Sequence, residues 1–338
     1  MTAPIVHGGG ITAAARLHGG RPEEWLDLST GINPQPVKLP DIPASAWHRL
    51  PDRHLVDTAR TAARRYYRSV DILPLPVPGT QSVIQLLPRL AGRGRRVAIL
   101  SPTYGEYARA FQLSGFPVDA IGSVEAVGAE HGLVVVVNPN NPDGRVLPPQ
   151  ALIELHDRLR AWGGLLIVDE AFGDMTPELS LAPYAARMPR LVIFRSFGKF
   201  FGLAGLRLGF AIAEPSILAA FEDWLGPWAV SGPALFLAAS LLGGDTAPIR
   251  ANILRRREAL DAVLQSAGLM VSGGTALFAL VNDSRTSEIY SRLCEHHILV
   301  RKFDYAPNWL RFGLPPDHEA DRRLAQALTG LESAGLDG

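Results

Sequence analysis

A single cysteine, Cys294, in 338 residues excludes an intrachain disulfide framework and a multi-cysteine zinc site, and it fits a reducing compartment. Its plain reading is a lone thiol packed in a helix. Net charge is absent too: 33 Lys plus Arg balance 33 Asp plus Glu, so no overall field draws in a nucleic-acid backbone or an anionic membrane surface. No apolar run approaches the roughly 20 residues a membrane span needs, and no basic stretch followed by an apolar core opens the chain. Internal repeats and low-complexity segments are also missing. The expectation is a cytoplasmic protein with no nucleic-acid partner, no membrane association and no bound metal.

The chain does hold enough apolar residues, 47%, for a large core and two domains. Between about residues 75 and 212 short apolar runs recur without alternation: Val97–Leu100, Val134–Val137, Leu165–Val168, Leu191–Phe194 and Phe210–Ile212. Such runs suit strands buried on both faces, so the fold class is α/β, a mostly parallel sheet covered by helices. After four of the runs come Ser101-Pro-Thr-Tyr-Gly, Asn138-Pro-Asn-Asn-Pro-Asp-Gly144, Asp169-Glu-Ala-Phe and Arg195-Ser-Phe-Gly-Lys199. Ligands bind at the carboxyl ends of strands in such sheets, so these four loops should line one mouth. From about Pro233 the pattern changes to an Arg-rich helical stretch, Ile249–Ala267, then strand-like segments near Ala276–Val281, Leu299–Phe303 and Trp309–Gly313. This predicts an arm or lid over 1–40, rich in Gly and Pro, a large domain over 41–232 and a small C-terminal α/β domain over 233–338.

Lys199 sits among glycines and large apolar residues, eight positions before Arg207. Desolvation there would lower its pKa and suit an amine that attacks a carbonyl; a surface lysine in a flexible loop is the other reading. Asp169 ends an apolar run, where a carboxylate is costly unless it meets a cation, although it could instead cap the next helix. Gly79-Thr-Gln81 precedes a probable helix, Ser82–Leu90, whose first N–H groups could cradle a phosphate or simply begin a helix.

Together these segments resemble the lysine region, asparagine loop, aspartate strand end, stacking aromatic and phosphate-cup turn of the fold-type I pyridoxal-phosphate enzymes, the class I/II aminotransferase superfamily. The resemblance implies that Lys199 carries pyridoxal 5′-phosphate covalently. Asp169 would pair with the protonated ring nitrogen, making the ring an electron sink, and Asn141 would bond its 3-oxygen. Tyr104 would stack on the ring face. Gly79, Thr80, Gln81, Ser196 and Arg207 would hold the phosphate, Arg207 through charge-assisted bonds. Lys199, Asp169 and Tyr104 are thus the catalytic candidates. Arg311, in Trp-Leu-Arg-Phe-Gly, resembles the arginine that grips a substrate carboxylate. Two positions depart from relatives of the histidinol-phosphate aminotransferase type: Phe172 stands where a tyrosine bonds the cofactor oxygen, and Leu50 stands where a tyrosine reaches the neighbouring subunit's cofactor phosphate. A homodimer is still implied.

Further stretches, His7-Gly-Gly-Gly10, Asp27-Leu-Ser-Thr-Gly-Ile-Asn-Pro34 and Gly226-Pro-Trp-Ala-Val-Ser-Gly-Pro233, are similar to the threonine-phosphate decarboxylase branch of cobalamin biosynthesis. That likeness implies a phosphorylated amino acid as substrate, Arg311 and Asn33 orienting its carboxylate, and His7, Gly8 and Gly9 meeting its phosphate. An aminotransferase of the histidinol-phosphate type using the same sites stays open, as does a non-catalytic cofactor-binding scaffold or regulator.

Overall fold

The computed structural model describes residues 5, 7–92 and 94–330; residues 1–4, 6, 93 and 331–338, which fall within the three segments expected from the sequence, lie outside the described residues. The chain forms two compact units. One comprises Val37–Asn141 and Arg145–Thr246; the other comprises Ile5–Pro36, Pro142–Gly144 and the described residues 247–330.

The first unit is built on a seven-stranded sheet. Its order is Leu75–Val77, Gly209–Ala213, Leu191–Ser196, Leu165–Asp169, His131–Val137, Arg96–Leu100 and Val118–Ile121. Gly209–Ala213 alone runs against its neighbours; the remaining pairs are parallel. His131–Val137 is buried throughout, as its unbroken apolar run requires for a strand covered on both faces. The helix Pro149–Ala161 buries Leu152, Leu155 and Leu159, apolar positions three and four apart. The helix Arg53–Tyr67 starts on Asp52, whose Oδ1 accepts the Leu55 N–H at 2.9 Å, and buries Ala59, Ala63 and Tyr67.

The expected helix Ser82–Leu90 is instead the five-residue helix Thr80–Ile84 followed by a 3₁₀ turn, Leu87–Arg89. Pro88 cannot donate the N–H that would continue the first helix, so the chain tightens there.

The second unit has an antiparallel sheet in the order Arg301–Lys302, Trp309–Gly313, Phe278–Asn282, Val271–Thr275. Around it lie the helices Ala247–Ser266, Thr286–Glu295 and His318–Leu328. Residues 5–36, read from the sequence as an arm, contribute a helix, Ile11–His18, and a short strand, Leu26–Asp27, paired in parallel with Ile298–Leu299. Trp25, Ala14 and Ala15 pack with Cys294 and Leu299, and Leu28 is fully buried. Their apolar side chains are too sparse along the chain to show periodicity, yet they complete a core supplied mainly by the C-terminal segment.

Pro142–Gly144 joins this second unit as a short edge segment. Gly274 N–H donates to Asp143 O at 2.9 Å, and a Cβ on Gly144, at φ +74°, would lie 1.8 Å from Gly274 O, so only glycine fits there. Among the described residues no helix is long and apolar enough to cross a membrane.

Candidate active site

In the first unit the carboxyl ends of four parallel strands converge on one cavity of about 160 Å³. Asp169 closes its own strand, Asn141 and Lys199 follow two others, and Tyr104 follows the strand Arg96–Leu100. Gly79, Thr80, Gln81, Ser196 and Arg207 complete the lining, so every first-unit residue expected to meet the cofactor faces this one space. Lys199 lies in the short helix Phe197–Phe200, with Nζ 5.7 Å from the centre of the Phe172 ring.

Asp169 is the chemical anchor. It is only 4% exposed. The Tyr107 hydroxyl donates to its Oδ2 at 2.7 Å and the Ala171 N–H to its Oδ1 at 2.9 Å. Burial pushes the carboxyl above its usual range, while these two donors and the nearby Lys199 charge pull it back. A carboxylate placed this way at the base of a cavity is suited to a cation. Burial also raises the Tyr107 phenol well above its ordinary value, reinforced by the Asp169 charge, so Tyr107 remains a donor.

At the other side, Gly79 has φ +75°, and a Cβ there would come within 2.9 Å of Arg207 Nη2. The absent side chain lets the guanidinium lie against the turn beside Thr80 and Ser196, an arrangement able to take an anion. Tyr104 donates its hydroxyl to Gln81 Oε1 at 3.0 Å, and Gln81 Nε2 donates to the buried Glu106 carboxylate at 2.9 Å. This pins the Gln81 amide and the plane of Tyr104.

A lysine amine, a buried carboxylate, an aromatic face and an anion cradle around one space match what an aldehyde-bearing, protonated pyridine with a phosphate arm demands. The residues present therefore fit pyridoxal 5′-phosphate.

The sequence reading missed Tyr107, Glu106 and a buried ion cluster behind the site. Arg195 Nη1 donates to Glu170 at 2.7 Å and Nη2 to Asp174 at 3.0 Å, with the guanidinium over the Tyr67 ring at 4.6 Å. Burial opposes the Arg195 charge, but Asp174 and Glu170 outweigh it and hold the guanidinium protonated. Tyr-x-x-Tyr spacing on a helix start was the available signal for Tyr107; none existed for the Arg195–Asp174 pairing, which spans strands.

The remaining candidates belong to the second unit. Arg311 is buried, with Nη2 donating to Ser29 O at 2.8 Å and its guanidinium 5.0 Å from the Phe278 ring centre. Burial and then neighbouring Arg301, its partner across the strands, pull its pKa down to about 10. Ser29 also ties in the glycine motif: Gly9 N–H donates to Ser29 Oγ at 2.7 Å, and a Cβ on Gly8 would lie 2.4 Å from Ser29 O. Asn33 is buried and accepts the Gln35 N–H at 3.0 Å, whereas His7 is exposed. Gly226–Val230 lines a separate opening of about 660 Å³ beside the helix Arg53–Tyr67, where Trp228 is exposed. That opening is larger than the Lys199 cavity but contains no lysine.

The family model for aminotransferase class I and II matches residues 23–328.

The chain belongs to the class I and II aminotransferase family.

Within it, the chain is 64% identical to a threonine-phosphate decarboxylase from Sinorhizobium sp., covering 98% of this chain and 100% of that protein. It is 45% identical to a threonine-phosphate decarboxylase from Pseudomonas aeruginosa, covering 97% and 98%. The crystal structure of histidinol-phosphate aminotransferase from Sinorhizobium meliloti in complex with pyridoxal-5′-phosphate superposes with a TM-score of 0.80 over 96% of this chain and 94% of that one, at 21% identity. That last likeness concerns the fold of this aminotransferase-family chain.

Proposed function

We propose that the chain decarboxylates L-threonine O-3-phosphate to (R)-1-amino-2-propanol O-2-phosphate, the linker of the cobalamin nucleotide loop. The observation that carries this reading is the 64% identity, over nearly the full length of both chains, to a protein named for that reaction. Pyridoxal 5′-phosphate is the cofactor, and when bound it supplies an electron sink for the pair left behind as carbon dioxide departs.

The chain's own residues position, charge and protonate. Lys199 would hold the cofactor through its amine, yield it to the substrate amine, and return a proton from Nζ to the carbon that has lost its carboxylate. Asp169 keeps a proton on the cofactor's ring nitrogen. Asn141 bonds the 3-oxygen and Tyr104 supports the ring face. Gly79, Thr80, Gln81, Ser196 and Arg207 hold the phosphate. Arg311, with Asn33, orients the substrate carboxylate through its planar fork, and His7, Gly8 and Gly9 meet the substrate phosphate. The bond broken joins the α-carbon to the carboxylate; its electron pair would be taken up by the cofactor as carbon dioxide leaves, and would return to form the new bond between that carbon and the proton from Lys199. The working form is a cytoplasmic homodimer acting on a small molecule without nucleic acid or membrane.

The test is to add L-threonine O-3-phosphate to cofactor-loaded protein, with and without 2-oxoglutarate, and to measure carbon dioxide and aminopropanol phosphate. Carbon dioxide without a keto acid is the expected result. Turnover that needs 2-oxoglutarate and releases no carbon dioxide would make the chain an aminotransferase instead.

A further inference from the structure

Three side chains on the first turn of the helix Glu106–Leu113 and just before it are committed to the cavity: Tyr104 and Glu106 to Gln81, and Tyr107 to Asp169. The third contact stands apart because it reaches the one carboxylate on which the cofactor's electronics depend. Tyr107 is fully buried, with its ring edge-on to Tyr104 at 6.3 Å. Its hydroxyl therefore has a fixed partner. Three side chains act electrostatically around this pair: Lys199 from the segment after the strand Leu191–Ser196, Glu170 beside Asp169, and Tyr104 from just before the helix.

We propose that Tyr107 is a positioning residue that keeps Asp169 ionised, and so keeps the shared proton on the cofactor's ring nitrogen. The proton between a carboxylate and a pyridine nitrogen goes to whichever base is less stabilised without it. A short hydrogen bond from Tyr107 to Oδ2 favours the bare carboxylate, and the Ala171 N–H does the same at Oδ1. Removing the hydroxyl leaves Oδ2 buried with one donor fewer, at a site where burial already favours the neutral acid. The proton then shifts toward Asp169, and the ring draws fewer electrons from the reacting carbon.

This inference rests on the cofactor assignment above but not on which reaction follows. The variant is Tyr107→Phe, which keeps the ring that packs the helix. A control, Phe111→Leu, changes a fully buried residue of the same helix without touching the cavity. Three quantities are read on cofactor-loaded protein: the pH titration of cofactor absorbance, cofactor affinity, and kcat and KM with L-threonine O-3-phosphate. For Tyr107→Phe the absorbance midpoint should move upward by about one pH unit, because a less electron-poor ring lets the nitrogen joining Lys199 to the cofactor keep its proton longer. Cofactor affinity should fall about tenfold, and kcat about ten- to a hundredfold with KM nearly unchanged. Phe111→Leu should leave the absorbance midpoint in place. An unmoved midpoint in Tyr107→Phe, or an equal shift in Phe111→Leu, overturns the proposal. If the parent protein releases no carbon dioxide, the decarboxylase reading fails, while the absorbance and affinity measurements still decide this one.

Discussion

At the scale of single residues, Arg311 shows how burial shapes a cation proposed to bind substrate. Its guanidinium is packed on Phe278, held to Ser29 O, and pulled down to about pKa 10, so it stays charged at neutral pH with little solvation of its own. A poorly solvated cation gains most from a carboxylate that replaces the missing water. Arg311→Lys preserves the charge but loses the planar fork, and a lysine in the same surroundings would be easier to deprotonate. Its expected effect is a rise in KM for L-threonine O-3-phosphate of about tenfold or more, with cofactor absorbance unchanged, read by steady-state kinetics and spectroscopy. The sequence singled out Arg311 through Trp-Leu-Arg-Phe-Gly but not its neighbour Arg301, because pairing across two strands leaves no local spacing to read.

At the scale of elements, two devices hold the strand ends in place. Behind the cavity, Arg195 at the end of one strand bonds Glu170 and Asp174, which follow the next strand. Arg195→Met would leave two buried carboxylates without their cation and is expected to cost about 3–5 kcal/mol or more, measured by chemical denaturation. Asp174→Asn should cost much less, since Glu170 still faces the arginine. In the second unit, the Asp143–Gly144 segment lies so close to Gly273 and Gly274 that side chains cannot enter. Gly144→Ala adds a Cβ both against backbone and at positive φ, so the thermal midpoint should drop by several degrees. The asparagine loop was recognisable from its Asn and Pro content. Its attachment to a strand some 130 residues later was not.

For the whole molecule, stability and cofactor are linked by mass action. Cofactor binding to the folded chain at a hundred times its dissociation constant adds about 2.7 kcal/mol. Stripping the cofactor should therefore lower the unfolding midpoint, and restoring it should recover the loss. On the proposed role of Lys199, Lys199→Ala should show a much smaller recovery in the same calorimetric experiment.

Local order in the chain was enough to establish the α/β class, the run of buried strands and the loops that end them. Short unbroken apolar runs such as Val134–Val137 suit strands buried on both faces of a covered sheet, and the polar residues after them then sit at that sheet's edge. Trp309–Gly313 was readable on a different ground, as one of the alternating strand-like segments after the Arg-rich helix. Only the tertiary structure decided that Gly209–Ala213 runs antiparallel, that residues 5–36 pack into the second unit, and that Tyr107 meets Asp169 across 62 residues. Strand direction, the closing of a core by distant apolar side chains, and the partner of a buried carboxylate depend on what the rest of the chain leaves unburied. No local window of sequence contains that information.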